Sequence, residues 1–443
     1  MDKRYIIIGA GVLLIIVLGI VMFTSGKKAA KVTPTAKLVI WDSFDSEENF
    51  RQAITYFEGK NSKIKVEYVK KNPATYETDS INAIADGNGP DIWVVPSNWM
   101  PKHHEKMATM PEKTLDPKLT NAEAYKNLFV DAANKDNVYD SQVYGVPLFM
   151  DTLSLFYNNR LVSKKYDAYV QAHPNADLAN IEPLFDNVPQ TWDELTSLIK
   201  YYGPNAIALG ATNVEQYSDI LNVLMLQYGA QMTSEDKANA LFHTSSGTND
   251  FTPYPGAKAL TFFTSFAKEG DANYTWSPGE KSAYEAFVQN KVAMMINYTQ
   301  IQKQLAKEND EFRIKALPQI NKIDNPIDLA YYQVMTVPKN AVNQSAAWTF
   351  IGYFPDAQAR LDARYLSATG LPSAKIAEIR TSNDAVDIQN RNSVTWYNPD
   401  PAKVSEIFKN AIDQSLSGQN PQTLMEGAAA QVTTLLSNLK GTK

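Results

Sequence analysis

The sequence has no cysteine in its 443 residues. This excludes disulfides, a thiolate nucleophile, Cys-ligated metals, iron–sulfur clusters, and a lipid anchor on an N-terminal cysteine. Histidine is nearly as scarce, with His103, His104, His173 and His243 alone. The first two are adjacent and cannot share a helix face, no HExxH spacing occurs, and all four read as surface histidines. Neither a GxSxG elbow nor a phosphate-cradling GxxxxGK(S/T) loop is present. The run Asp131, Asn134, Asp136, Asn137, Asp140 lacks the glycine and closing Glu of a calcium loop and reads as a solvated loop. Nothing singles out a carboxylate pair for glycoside hydrolysis among 48 acidic residues. With a net charge of −6 and no long basic run after the N-terminus, nucleic acid is not the expected partner. The sequence thus predicts no catalysis, no cofactor and no resident metal.

What is present begins with residues 6–23 (IIIGAGVLLIIVLGIVMF), a stretch without a charge. As a helix it is roughly 27 Å long, close to the thickness of a hydrocarbon core. It exceeds the apolar part of a signal peptide, and Thr24 and Gly26 make a poor cleavage site, so an uncleaved membrane anchor is expected. Lys3 and Arg4 before it and Lys27, Lys28 and Lys31 after it leave its orientation open. Residues 26–36 read as a short tether.

The globular part opens with a buried-strand pattern at Leu38–Trp41. Asp45 and Glu48 fit a helix-capping pattern, and Phe50, Ile54 and Phe57 share the helical face that follows. Residues 64–69 alternate as a strand, a helical stretch runs from Tyr76 to Ala85, and Asp91–Val95 is a third strand. That rhythm predicts a parallel sheet with crossover helices, with ligands beyond the carboxyl ends of its strands. Extended stretches follow at 143–157, 312–317 and 334–337, and helices at 192–202, 219–228, 256–267, 345–354 and 402–439, the last interrupted near Gly418 and Pro421.

Aromatic residues are plentiful: 23 Tyr, 7 Trp and 18 Phe. Several stand beside small polar residues, as in Ser97-Asn98-Trp99, Tyr331-Tyr332-Gln333 and Thr395-Trp396-Tyr397-Asn398. An aromatic face beside amide and carboxylate acceptors suits sugars and other polyols, although most aromatics belong to cores.

Ordered motifs cover nearly the whole globular chain: Gly87-Asn88-Gly89-Pro90-Asp91-Ile92, Tyr144-Gly145-Val146-Pro147 followed by Asp151–Asn158, Pro189–Leu195 (PQTWDEL), Phe287–Met295 (FVQNKVAMM), Ala346–Ile351 and Thr369-Gly370-Leu371-Pro372. They resemble the extracellular solute-binding proteins of ABC importers, the class that includes maltose-binding protein and other sugar receptors. Asn290 stands where that family usually has glycine.

The resemblance implies a two-lobed, periplasmic-binding-protein-like α/β fold, here with an N-terminal transmembrane helix. Residues 1–25 would be the anchor and 26–36 the tether, with 37–150 and 318–354 forming the N-terminal lobe. Residues 151–317 and 355–443 would form the C-terminal lobe, with crossings near Met150, Leu317 and Phe354. Carried over by position, ligand contacts fall to Ser43 and Phe44 after the first strand and to Asn98 and Trp99 after the third. Asp151 lies past the first crossing, where sugar-binding relatives often use a carboxylate. Tyr217, Asn297 and Gln300 follow on the other lobe, with Tyr331 and Trp396. Where relatives often place an aromatic after the A-M-x-I strand, this chain has Tyr298-Thr299-Gln300, which leaves the sugar open. The resemblance further implies a monomeric receptor delivering a sugar to ABC permease subunits, and it sets the globular part outside the cytoplasm on the single-pass anchor read from residues 6–23. Ferric iron at the Tyr331-Tyr332 pair, another small solute, or a ligand-sensing ectodomain are the alternatives.

Overall fold

The computed structural model describes residues 36–175, 189–244, 253–321, 325–353 and 385–441. The expected anchor, all but the last residue of the tether, the crossing near Phe354 and the Thr369–Pro372 motif lie outside the described residues. Among those described, no helix is long and apolar enough to cross a membrane.

In chain order the strands are β1 (Ala36–Asp42), β2 (Ile64–Lys70), β3 (Ile92–Pro96), β4 (Val138–Tyr139), β5 (Gln142–Val143), β6 (Gly145–Pro147), β7 (Leu153–Asn158), β8 (Ile207–Ala208), β9 (Met294–Tyr298), β10 (Phe312–Ala316) and β11 (Gln333–Thr336). One sheet has the order β2-β1-β3-β11-β6, a second β10-β7-β9-β8, and β4 and β5 pair alone. In the first sheet β1, β2 and β3 are parallel, joined by helices Glu47–Lys60 and Tyr76–Ala85, whereas β11 runs antiparallel to β3 and β6. Two hydrophobic cores follow the two sheets.

Local chemistry explains several motif residues. Asp91 accepts from the Val39 N–H at 2.9 Å and from the Asn343 N–H at 3.0 Å, tying β1 to the start of helix Gln344–Ile351. A Cβ on Gly145 would collide with Val334 Cγ1 and crowd the Met335 carbonyl, so only glycine lets β6 approach β11 this closely. Asn290 has φ 55°, the left-handed region that asparagine tolerates, and its Oδ1 accepts from Asn158 Nδ2 at 2.6 Å. Thr191 and Glu194 close a capping box at helix Trp192–Tyr202.

Some expectations are corrected. Ser46, not Asp45, caps helix Glu47–Lys60 by accepting from the Asn49 N–H. The run read as a solvated loop is largely a helix, Asp131–Asn137, with Asn137 buried. His103 and His104 are buried rather than superficial: His103 bonds Glu77 at 2.7 Å, and His104 stacks on Tyr139 at 3.9 Å.

The first crossing runs between β6 and β7, through Met150. The second was expected near Leu317, but Leu317 and Leu329 pack in the second core and Ala330 in the first, so the cores change at Leu329–Ala330. Gln319 explains the delay: its N–H donates to the Gln190 carbonyl and its carbonyl accepts from Trp192, holding the start of the segment on the second lobe.

Candidate functional site

The two crossings lie side by side. Asp151 and Tyr331 exchange backbone bonds, each N–H donating to the other's carbonyl at 2.9 Å. The crossings therefore bring the end of β9 and the segment after β3 to one place between the lobes.

A narrow pocket opens there, with a cavity volume of about 40 Å³. Ser97, Asn98, Pro101 and Asp136 line it from the first lobe. Asp219, Asn222 and Tyr298 line it from the second, as do Thr395, Trp396 and Asn398, and the crossing adds Leu329–Tyr331. The Tyr298 hydroxyl donates to Asp219 Oδ2 at 2.9 Å, and the Tyr298 and Tyr331 rings lie 5.0 Å apart. Gln333 Nε2 donates to the Tyr331 hydroxyl at 3.0 Å. Burial raises the Asp219 carboxyl above its usual range, against the donors Tyr298 and Asn222.

Asp136 ties the lobes together. Its carboxylate accepts from the Tyr332 hydroxyl at 2.8 Å and from Thr395 Oγ1 at 2.7 Å. Burial pushes it up to about 6. Beside it Lys135 Nζ donates to the Thr395 carbonyl at 2.9 Å, and the Tyr397 hydroxyl donates to the Pro101 carbonyl at 3.3 Å. Lys102 Nζ sits between Glu77 at 2.8 Å and Asp400 at 3.0 Å. Residues 395–400 of the second lobe are thus held against the first.

Of the residues carried over from the resemblance, Asn98, Tyr331 and Trp396 line this pocket. Of the others, Gln300 does not line it and its buried Oε1 has no partner among the described residues, while the rest are engaged elsewhere. The Ser43 carbonyl accepts from Lys70 Nζ at 2.7 Å, and Phe44 packs on Phe149. Trp99 packs among Tyr76, Trp93 and His103. The Tyr217 hydroxyl bonds Ser405 Oγ at 2.8 Å. Asn297 Oδ1 accepts from the Tyr298 N–H and from Gln216 Nε2.

Asp151 is fully buried and occupied: Thr152 N, Thr299 N and Thr299 Oγ1 donate to Oδ1, and Gln300 N donates to Oδ2. Its carboxylate fixes the turn after β9 instead of facing the pocket. Burial raises it to about 6 although these donors pull it down.

The residue-by-residue reading missed Asp136, Asp219, Asn222 and Tyr298. Asp219 and Asn222 stand three apart on helix Tyr217–Gln227 and so share a face, the one signal in the sequence that could have found them. Among the described residues no three His, Asp or Glu are placed to hold a metal. The Tyr331 and Tyr332 hydroxyls do not converge, since one meets Gln333 and the other Asp136.

A sequence profile of the bacterial extracellular solute-binding proteins matches residues 52–435. The galactooligosaccharide-binding protein of Bacillus subtilis is 27% identical over 142 residues, 32% of this chain and 31% of that protein. Three further curated relatives are matched over 51% of their length, so the chain spans at most about half of the relatives it reaches. Solved structures share the fold over far more of the chain. The solute-binding protein of Thermotoga lettingae bound with alpha-D-tagatose has a TM-score of 0.67 at 21% identity, covering 91% of this chain and 100% of the other. The cyclic alpha-maltosyl-1,6-maltose binding protein of Arthrobacter globiformis has 0.69 at 17%, covering 91% and 100%.

Proposed function

The chain belongs to the bacterial extracellular solute-binding proteins, and from that premise we propose that it is the carbohydrate receptor of an ABC-type importer. As a family member it works outside the cytoplasm and binds a solute without transforming it. The observation that carries the carbohydrate reading is the pocket at the lobe junction, walled by both lobes, with Tyr298, Tyr331 and Trp396 beside Asn98, Asp136, Asp219 and Asn222. Aromatic faces supply apolar area for a sugar ring, and the amides and carboxylates accept its hydroxyls. The names of the relatives, several of them sugar-binding, support the same ligand class.

Binding would begin on one lobe, and closure would add the contacts of the other, so only the extra contacts shift the population toward the closed form. Residues 6–23 would hold the receptor at the membrane as a single-pass anchor, and the folded part would act as a monomer on the permease subunits. Titration with a panel of neutral oligosaccharides should show saturable heat, and scattering should show a smaller radius of gyration with the sugar that binds. No binding across the panel would reject the carbohydrate reading. Mass spectrometry of the mature protein should find the N-terminal residues intact; a chain starting near Lys27 would reject the anchor.

A further inference from the structure

We infer that this pocket takes a sugar whose recognised end carries hydroxyl or ammonium donors and no anionic group, and that Asp219 and Asn222 are its specificity-determining residues. The inference rests on the carbohydrate reading above and deepens it.

The polar lining is rich in acceptors. Asp136 and Asp219 supply carboxylates from opposite lobes. Asn222 is 2% exposed, directs a side-chain bond to Asp219, and leaves its Oδ1 without a donor. A flipped amide would set that oxygen against the carboxylate, so Asp219 fixes the orientation and Oδ1 stays the free group. From the first lobe Asn98 lines the pocket too, and its buried Oδ1 also has no donor. A buried acceptor left unpaired costs about 1–3 kcal/mol, and a ligand O–H or N–H would recover it.

No lysine, arginine or histidine lines the pocket among the described residues. The nearby cations are directed elsewhere. Lys135 donates to the Thr395 carbonyl, Lys102 pairs with Glu77 and Asp400, and Lys237 lies over the Tyr397 ring. A carboxylate or phosphate on the ligand would meet two acidic side chains and no cation in the lining, Lys135 and Lys237 acting on Asp136 only from outside it.

The test titrates the full chain with neutral oligosaccharides, each paired with its counterpart oxidised to a carboxylate at C6. A neutral sugar that binds should lose about 100-fold in affinity on oxidation, because juxtaposed like charges cost several kcal/mol. Asp219→Asn should shrink that ratio to about tenfold or less, with unfolding unchanged. Asn222→Leu should weaken the neutral sugar about tenfold. Equal binding of neutral and oxidised sugars overturns the inference while leaving the carbohydrate reading intact. A folded Asp219→Asn protein with an unchanged ratio overturns the role of Asp219, and if that variant does not fold, the ratio in the native protein decides. Failure of every sugar to bind overturns both.

Discussion

Asp151 and Asp219 are both acidic residues near the lobe junction, and burial raises both carboxyls above their usual range. Their surroundings differ in kind. Asp151 is 0% exposed and meets three backbone N–H groups and a hydroxyl. Asp219 is half-buried on the pocket wall and meets one phenol and one amide. A raised pKa therefore does not separate a scaffold carboxylate from a recognition carboxylate. Spare acceptor capacity facing open space does.

The largest effect expected from this contrast is on stability. Asp151→Ala would leave the N–H groups of Thr152, Thr299 and Gln300 without their acceptor in a dry site. At about 1–3 kcal/mol for each unsatisfied buried donor, the loss should be about 3–5 kcal/mol. Urea unfolding would measure it, and Asp219→Asn should cost less than about 1 kcal/mol in the same assay. Equal losses would erase the distinction between the two residues.

A smaller effect comes from pH. The carboxyls of Asp42, Asp136 and Asp151 are all pushed from 3.8 to about 6, chiefly by burial. Between about pH 4 and pH 6 the folded chain holds protons that the unfolded chain has released, so stability falls as pH rises through that window and levels off above it. Protonation is easiest to accommodate at Asp136, because both its partners are hydroxyls, which can turn from donor to acceptor. The backbone donors around Asp151 cannot turn. Asp136→Asn should therefore remove up to about 3 kcal/mol of the stability change across that window. An unchanged slope would mean that Asp136 does not titrate in the folded state.

How much of this was legible in the sequence follows the same division. Backbone geometry leaves local marks: the capping box at Thr191 and Glu194, the glycine that lets β6 meet β11, the left-handed residue at Asn290. Period and punctuation therefore placed β1, β2, β3, β10 and β11 and helices Tyr76–Ala85, Trp192–Tyr202, Tyr217–Gln227 and Pro255–Ser265 within about two residues, but passed over helices Asn121–Leu128 and Asn159–Ala172. The pocket leaves few such marks, because its walls come from residues far apart in the chain. Asn98, Tyr331 and Trp396, which line it, come from the family resemblance by position rather than from any local mark. Asp136 was missed because a run of acidic and amide residues reads as solvated until Tyr332 and Thr395, 196 and 259 positions away, arrive beside it. Asp151 was misjudged for the converse reason: its position past the crossing was right, but the turn that consumes its lone pairs is 148 residues distant.

The smallest effect separates recognition from closure. Lys102 lies on the first lobe, 27% exposed, and reaches Asp400 on the second. Asp400 also caps helix Pro401–Leu416 through the Lys403 N–H, and Lys403 Nζ stands 3.6 Å away. Lys102→Met would leave Asp400 with those contacts and Glu77 with His103, so the fold should be little affected. What is lost is one ion pair across the cleft, worth about 0.5–1 kcal/mol at this exposure. The closed population should fall accordingly, and apparent affinity with it, by about two- to fivefold for every ligand. Asp219→Asn should instead change the ratio between neutral and oxidised sugars. High salt should reproduce the Lys102→Met effect in the native protein and add little in the variant. If Lys102→Met altered charge selectivity, the latch and the pocket would be one device, and the contrast between scaffold and recognition groups would have to be redrawn along the cleft.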